Sequence, residues 1–138
     1  MCILFFAIKQ HPKYPVIICA NRDEFHQRPT QPMHWWPKSN VLESDVLAGK
    51  DLQAGGTWLG LDRQGRFSAL TNFRQPDLID NNKQSRGELV LQALAQHDEE
   101  MTKKLAKSSH DYNGFNLVFG PLDKLICFDS VSQKQQVL

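Results

Sequence analysis

The sequence predicts an α+β fold, with antiparallel strands first, helices next and strands again. Three observations predict it. Two nearly continuous apolar runs of strand length, CILFFAIK and PVIICANR, flank a short Pro-containing turn near the start. Further strand pairs surround RQG and PLD. Between those two pairs, in SRGELVLQALAQHDEE, the apolar spacing changes to a helical period. Strands and helices are therefore grouped, which excludes the βαβ alternation of a doubly wound fold.

The elements follow in order. Cys2 to Lys9 and Pro15 to Arg22 form the first hairpin. Both runs lack polar alternation, so their strands are expected to be covered on both faces, with the first lying centrally. From Phe25 to Asn40 the pattern breaks, with Pro29, Pro32 and Pro37 set among Met33, His34, Trp35 and Trp36. An irregular, packed or ligand-binding loop is expected there. Gly55-Gly56 interrupts structure, Thr57 to Leu61 reads as a strand, Asp62 to Gly65 as its turn, and Arg66 to Phe73 as the return strand.

Ser85 with Glu88 has the spacing of a capping box and sets the start of the first helix. Asp98 is the expected cap of a second helix carrying Met101, Leu105 and Ala106. FNLVFG and KLICFD make the last hairpin, ending near Asp129, and SVSQKQQVL reads as a tail outside the sheet.

Composition bounds the function. A chain of 138 residues is one small domain, and 41% hydrophobic residues suffice for an ordinary core. A formal net charge of +1 does not suit a nucleic-acid or anionic-membrane partner. No apolar run approaches the roughly 20 residues of a membrane span. CILFFAI has neither a basic flank nor a small-residue cleavage site, so it is a poor signal peptide. The three cysteines, Cys2, Cys19 and Cys127, form no CxxC pair, and an odd count argues against a disulfide framework. A reducing, cytoplasmic setting is expected.

The histidines are dispersed, so no zinc site is expected. GGTWLG lacks the lysine of a phosphate-binding loop, and no G-x-S-x-G elbow occurs. What remains is a set of polar residues where apolar strands stop: Asn21, Arg22, Asp23 and Glu24; Asn72 and Arg74; Asn113 and Asn116. Any one alone fits turn chemistry. The unbroken NRDE run after a buried strand is harder to explain that way, although an ion pair of Arg22 with a carboxylate would do so.

Cys2 gives that set a chemical reading. Methionine is normally removed ahead of a small second residue. Cys2 would then carry a thiol beside a free α-amine of pKa near ~8, able to serve as the thiol's own general base. An Asn could supply the oxyanion hole, and a carboxylate or Arg could orient the amine. Asn72, Asp23 and Arg22 are available for these roles. Cys19 and Cys127 lie inside apolar runs, where cysteine usually packs as a small buried hydrophobe.

Six ordered motifs, the initial MC, ANRDE, GGTWLG, ALTNFR, SRGELV and YNGFNLVFG, resemble the NRDE family, also called the transport and Golgi organization 2 family. The resemblance implies an N-terminal nucleophile hydrolase-like αββα sandwich of two antiparallel sheets between helices, acting without a cofactor on amide C–N bonds other than peptides. It implies Cys2 as nucleophile, Asp23 contacting it, Asn72 in the oxyanion hole, and Arg22 in place of an arginine near that aspartate. The chain is shorter than members of that family usually are. It is therefore expected to be a single NRDE-type domain over 1–138, truncated at the C-terminus, that self-associates through an incomplete sandwich. A retained Met1 would block the amine of Cys2. The competing reading is a non-catalytic carrier of an apolar ligand, haem or an acyl lipid, held by His34, Trp35, Trp36 and Trp58.

Overall fold

The computed structural model describes residues 2–40, 42–73 and 79–138. Met1 and Arg74, both parts of the motifs above, lie outside them. The strands are β1 (Ile3–Ile8), β2 (Val16–Asn21), β3 (Thr30–Trp36), β4 (Val46–Asp51), β5 (Leu59–Asp62), β6 (Arg66–Asn72), β7 (Phe115–Pro121), β8 (Ile126–Asp129) and β9 (Lys134–Val137). Helices α1 (Gly87–Ala95) and α2 (Asp98–Ser108) lie between β6 and β7. The fold is α+β with two antiparallel sheets.

β1 and β2 form a two-stranded sheet, and β3 to β9 form a seven-stranded sheet in chain order. The helices interrupt the chain but not the sheet, since β6 and β7 pair from Arg66↔Pro121 to Asn72↔Phe115. One face of the large sheet packs on the helices through Leu70, Phe115, Leu117 and Phe119 against Leu89, Leu94, Met101 and Leu105. The other face, with Phe67, Ala69, Val118 and Leu125, receives Leu4, Phe6 and Ile18 of the small sheet. The layers are thus small sheet, large sheet and helices.

The first hairpin forms as expected, in a register from Ile3↔Asn21 to Ile8↔Val16. Its expected central position is not found. Among the described residues β1 pairs only with β2, and Ile3 and Phe5 are 46% and 61% exposed on its outer face. Cys19 lies opposite Phe5 and is exposed, not buried as its apolar neighbours suggest. Cys127 is half-buried against the inter-sheet cluster.

The expected irregular loop contains β3. Its prolines misled because β3 is an edge strand whose register shifts between Gln31 and His34, around Pro32. Proline is tolerated at edges and bulges, where no ladder donor is required. The expected tail contains β9, a fully exposed polar edge strand held by pairing to β8. Its pairing is through backbone groups, so no apolar pattern announces it.

Neither expected helix cap forms. α1 starts after Arg86, whose backbone is already helical, with no side-chain cap bond. α2 starts after His97, and Asp98 accepts a 2.8 Å hydrogen bond from Arg66. The Arg66 guanidinium also donates to the carbonyls of Ala93 and Gln96, tying β6 to the junction of the helices. Asp98 is used in a tertiary contact, not a local one.

The glycines of GGTWLG and SRGELV meet. A Cβ on Gly56 would lie 2.7 Å from the carbonyl carbon of Gly87 and 3.0 Å from its Cα. The Thr57 amide donates to the Gly87 carbonyl across this contact. Gly56→Ala is expected to lower stability by about 1–3 kcal/mol, because backbone cannot rotate away as a side chain can. Urea denaturation measures it, and an unchanged midpoint would show that the two segments are not in contact.

Candidate functional site

Antiparallel pairing brings several strand ends to one end of the molecule. β1 begins there and β2 stops there, β4 stops there, β5 begins, β6 stops and β7 begins. Backbone contact between Gly56 and Gly87 adds the start of α1. A cleft of about 490 Å³ lies across this end, lined by Cys2, Arg22, Trp58, Asn72, Arg86 and Asn113 among others. Three of the four expected site residues, Cys2, Arg22 and Asn72, therefore share one cleft although 70 residues of chain separate the first from the last.

Asp23 is placed differently. It is exposed and lines a neighbouring cleft of about 650 Å³, which Asn72, Glu24 and Arg86 also border. Strand geometry accounts for the split. Side chains alternate along β2 and its extension. Ile18 and Ala20 face the large sheet, and Arg22 continues that row, whereas Asp23 belongs to the other row.

Arg22 stacks over the Trp58 ring at 4.7 Å from its centroid. Trp58 also packs against Gly49, where a Cβ would come within 2.8 Å of the indole. Asn72 ends β6, and its carboxamide has no hydrogen-bond partner among the described residues, which leaves its N–H groups available. Asn113 is engaged instead. It accepts from the Asp80 amide at 2.9 Å and donates to the Asp80 carbonyl at 2.8 Å, clasping the chain ahead of α1. Asn116 lies 3.5 Å from the Thr71 hydroxyl, away from the cleft lining.

The charges sort into paired and unpaired groups. Arg28 binds Asp51 through two nitrogens, at 2.8 and 2.6 Å, and lies 3.6 Å from Glu24. Burial alone would raise the Asp51 carboxyl, but Arg28 and the amides of Gln53 and Ala54 hold it below its ordinary value. Burial pushes the Cys2 thiol up, Arg22 and Arg86 draw it back, and Glu24 opposes them. Burial and the nearby Arg28 lower the pKa of Arg86, while Glu24 and Cys2 act the other way.

A raised thiol means less thiolate at neutral pH. With Met1 still attached, the alkylation rate of Cys2 by iodoacetamide is therefore expected to climb over a higher pH range than that of a free thiol such as glutathione. Peptide-resolved mass spectrometry measures this, and a profile overlying glutathione would contradict the partial burial of Cys2.

Arg86, Arg28 and Asp51 were missed by sequence reasoning. Arg86 did carry a signal. It sits at the N-terminal end of α1, where the helix dipole favours an anion and disfavours a cation. Arg28 and Asp51 carried none, because their contact spans 23 residues and requires the pairing of β3 with β4.

The aromatic residues do not gather into one pocket. Trp36 donates to the Ala48 carbonyl and packs on the helix-side core. Trp35 lies under Arg63 at 3.9 Å, and Trp58 borders the Cys2 cleft. An apolar cleft of about 430 Å³ does exist elsewhere, between the two sheets, lined by Ile18, Met33, Leu47, Leu59 and Phe67 among others. Among the described residues no helix is long and apolar enough to cross a membrane.

The family model for Transport and Golgi organisation 2 matches residues 1–138. The Transport and Golgi organization protein 2 homolog of Bos taurus is 40% identical over 93% of this chain and 49% of its own length. The Homo sapiens homolog is 38% identical over 93% of this chain and 49% of its own. The Drosophila melanogaster Transport and Golgi organization protein 2 is 32% identical over 86% and 45%. The chain spans about half the length of these curated relatives. It belongs to the Transport and Golgi organisation 2 family.

Proposed function

We propose that this family member is an N-terminal cysteine amidohydrolase, cleaving amide C–N bonds other than peptides in the cytosol. Once Met1 is removed, the α-amine of Cys2 takes the thiol proton as sulfur attacks the carbonyl carbon. Asn72 donates to the oxyanion of the tetrahedral intermediate. The amine returns the proton to the leaving nitrogen, and water then releases the acyl group from sulfur. Asp23 orients the amine from the adjoining cleft, and Arg22 holds positive charge beside the thiol. The observation that carries this reading is the shared cleft of Cys2, Arg22 and Asn72.

Mass spectrometry of the purified protein tests the premise, with Cys2 expected at the N-terminus. A thiol-directed acyl probe is then expected to label Cys2, and Cys2→Ala to abolish that labelling. Met1 retained in every molecule would sink the mechanism.

A second reading rests on the apolar inter-sheet cleft, which suits a carrier of an acyl chain or haem. It predicts that Met33→Asp weakens binding of a fluorescent fatty acid at least tenfold while Cys2→Ala does not. Unchanged titration by Met33→Asp counts against it. In either reading the outer face of the small sheet is proposed to be covered in an assembly. The exposed Ile3 and Phe5 are where a second copy would cover it. Sedimentation of the wild type against Phe5→Glu checks that association.

A further inference from the structure

The Cys2 cleft contains more cation than its own carboxylates can neutralise. Four basic side chains, Arg22, Arg28, Lys83 and Arg86, share it with Glu24, Asp51 and Asp80. Arg28 alone engages both Asp51 and Glu24. Asp80 lies exposed and caps its own turn, accepting from the Asn82 amide at 2.9 Å. Arg22 lies flat over the Trp58 face, which offsets part of its charge but leaves its N–H donors without a partner among the described residues, and Lys83 donates to the Tyr112 carbonyl at 3.3 Å.

Arg86 is half-buried, whereas Lys83 is exposed. Among the described residues its one hydrogen bond is to the Gly114 carbonyl, a neutral acceptor, at 3.0 Å. A guanidinium has five N–H donors. The others of Arg86 have no protein partner among the described residues, and no carboxylate pairs with it there. The side chain is partly buried, so its charge is costly to leave uncompensated. It stands at a helix N-terminus, where the dipole adds to that cost. Gly56 against Gly87 fixes this position to the start of β5, so the guanidinium is part of a rigid wall and not a mobile surface arginine. Tools of this kind, a planar fork with free donors beside a nucleophile, match a carboxylate.

We propose that Arg86 receives a carboxylate of the substrate, so that the cleft selects amides carrying an anionic group near the scissile bond, as in N-acyl amino acids. This rests on the hydrolase reading for the meaning of the site, but not for its test. Arg22 assists at longer range. A neutral amide of the same size leaves the Arg86 charge unpaired and is the poorer ligand.

Matched alkylating probes test this on the whole 138-residue chain. Iodoacetate and iodoacetamide both transfer a carbon to a thiolate with loss of iodide, and differ in charge. Cys19, exposed on the outer face of the small sheet, is the internal reference in the same molecule. The iodoacetate-to-iodoacetamide rate ratio is expected to be about tenfold higher at Cys2 than at Cys19. Arg86→Gln is expected to remove that excess, and Arg86→Lys to keep part of it, because a point charge attracts an anion without the bidentate fit. Equal ratios at Cys2 and Cys19, or an excess that survives Arg86→Gln, would overturn the proposal.

If Arg86→Gln fails to fold, the wild type still decides. N-acetylglycine is expected to protect Cys2 from iodoacetamide at about a tenth of the concentration that N-acetylglycinamide needs. Equal protection would overturn the proposal. Alkylation needs neither a free α-amine nor turnover, so failure of the hydrolase reading leaves these ratios readable.

Discussion

Phe115→Ala is expected to lower the unfolding free energy by about 3–5 kcal/mol, a large share of the roughly 5–15 kcal/mol that holds a domain together. The Phe115 side chain is fully buried on the helix side of the sheet. Its ring meets Tyr112 edge-on, with centroids 6.1 Å apart, and lies 6.3 Å from Phe128. Truncation would leave a cavity beside β7, β8 and the 3₁₀ turn after α2, and the two strands cannot close it without breaking sheet pairing. The Phe115 backbone is locked as well, its amide to the Ser130 hydroxyl and its carbonyl to the Ser130 amide. Tyr14→Ala is the control. Tyr14 is 59% exposed in the turn between β1 and β2, so a change within about 0.5 kcal/mol is expected. Equal urea midpoints for the two variants would place the core elsewhere. Because Phe115 pairs directly with Asn72, partly folded Phe115→Ala should also lose order at the cleft.

Those residues show what the sequence revealed and what it hid. YNGFNLVFG declared β7 because a strand buried on both faces must be apolar at nearly every position. The same rule misled for β1. Its run CILFFAI is as apolar as β7, yet Ile3 and Phe5 face outward. Periodicity reports how a strand is suited to be covered, not which cover the described residues supply. The polar edges were hidden for the opposite reason. β9 contributes backbone hydrogen bonds and no buried side chain, so nothing in KQQV distinguishes it from a tail.

The candidate site was legible to the extent that its residues follow strands. Arg22 and Asn72 stand where apolar runs stop, and both reach the Cys2 cleft because antiparallel pairing gathers those ends. Asp23 is one residue from Arg22, but alternation turns it toward the adjoining cleft. The Arg28–Asp51 pair depends on a hairpin whose first strand the prolines concealed. Local caps failed similarly: Asp98 had the residue type of a cap, but Arg66 offered a charged partner 32 positions away. The guanidinium brings a full positive charge to the Asp98 carboxylate at 2.8 Å, where a cap would offer only backbone N–H groups.

Asn72→Ala is expected to slow acylation of Cys2 about 10²–10³-fold, the loss typical of one oxyanion donor. The loss should fall on acylation alone. An activated ester or β-lactam probe builds a tetrahedral oxyanion when sulfur attacks, and Asn72 would stabilise that charge. Iodoacetamide reacts by displacement at a saturated carbon and builds none, so its rate at Cys2 should stay within about threefold, less than half a power of ten. That contrast separates an oxyanion donor from a residue that merely shapes the cleft, whose loss would disturb both reactions alike. Asn72→Asp sharpens the test. A carboxylate keeps the size of the side chain but replaces its donor with an acceptor, and its charge opposes both the thiolate and the oxyanion. It should acylate no faster than Asn72→Ala. It should also move the pH dependence to higher pH, because an added anion near Cys2 raises a thiol that burial has already raised. Acylation by Asn72→Asp at the wild-type rate would remove Asn72 from the mechanism, and the oxyanion would then have to be held by backbone amides at the strand ends.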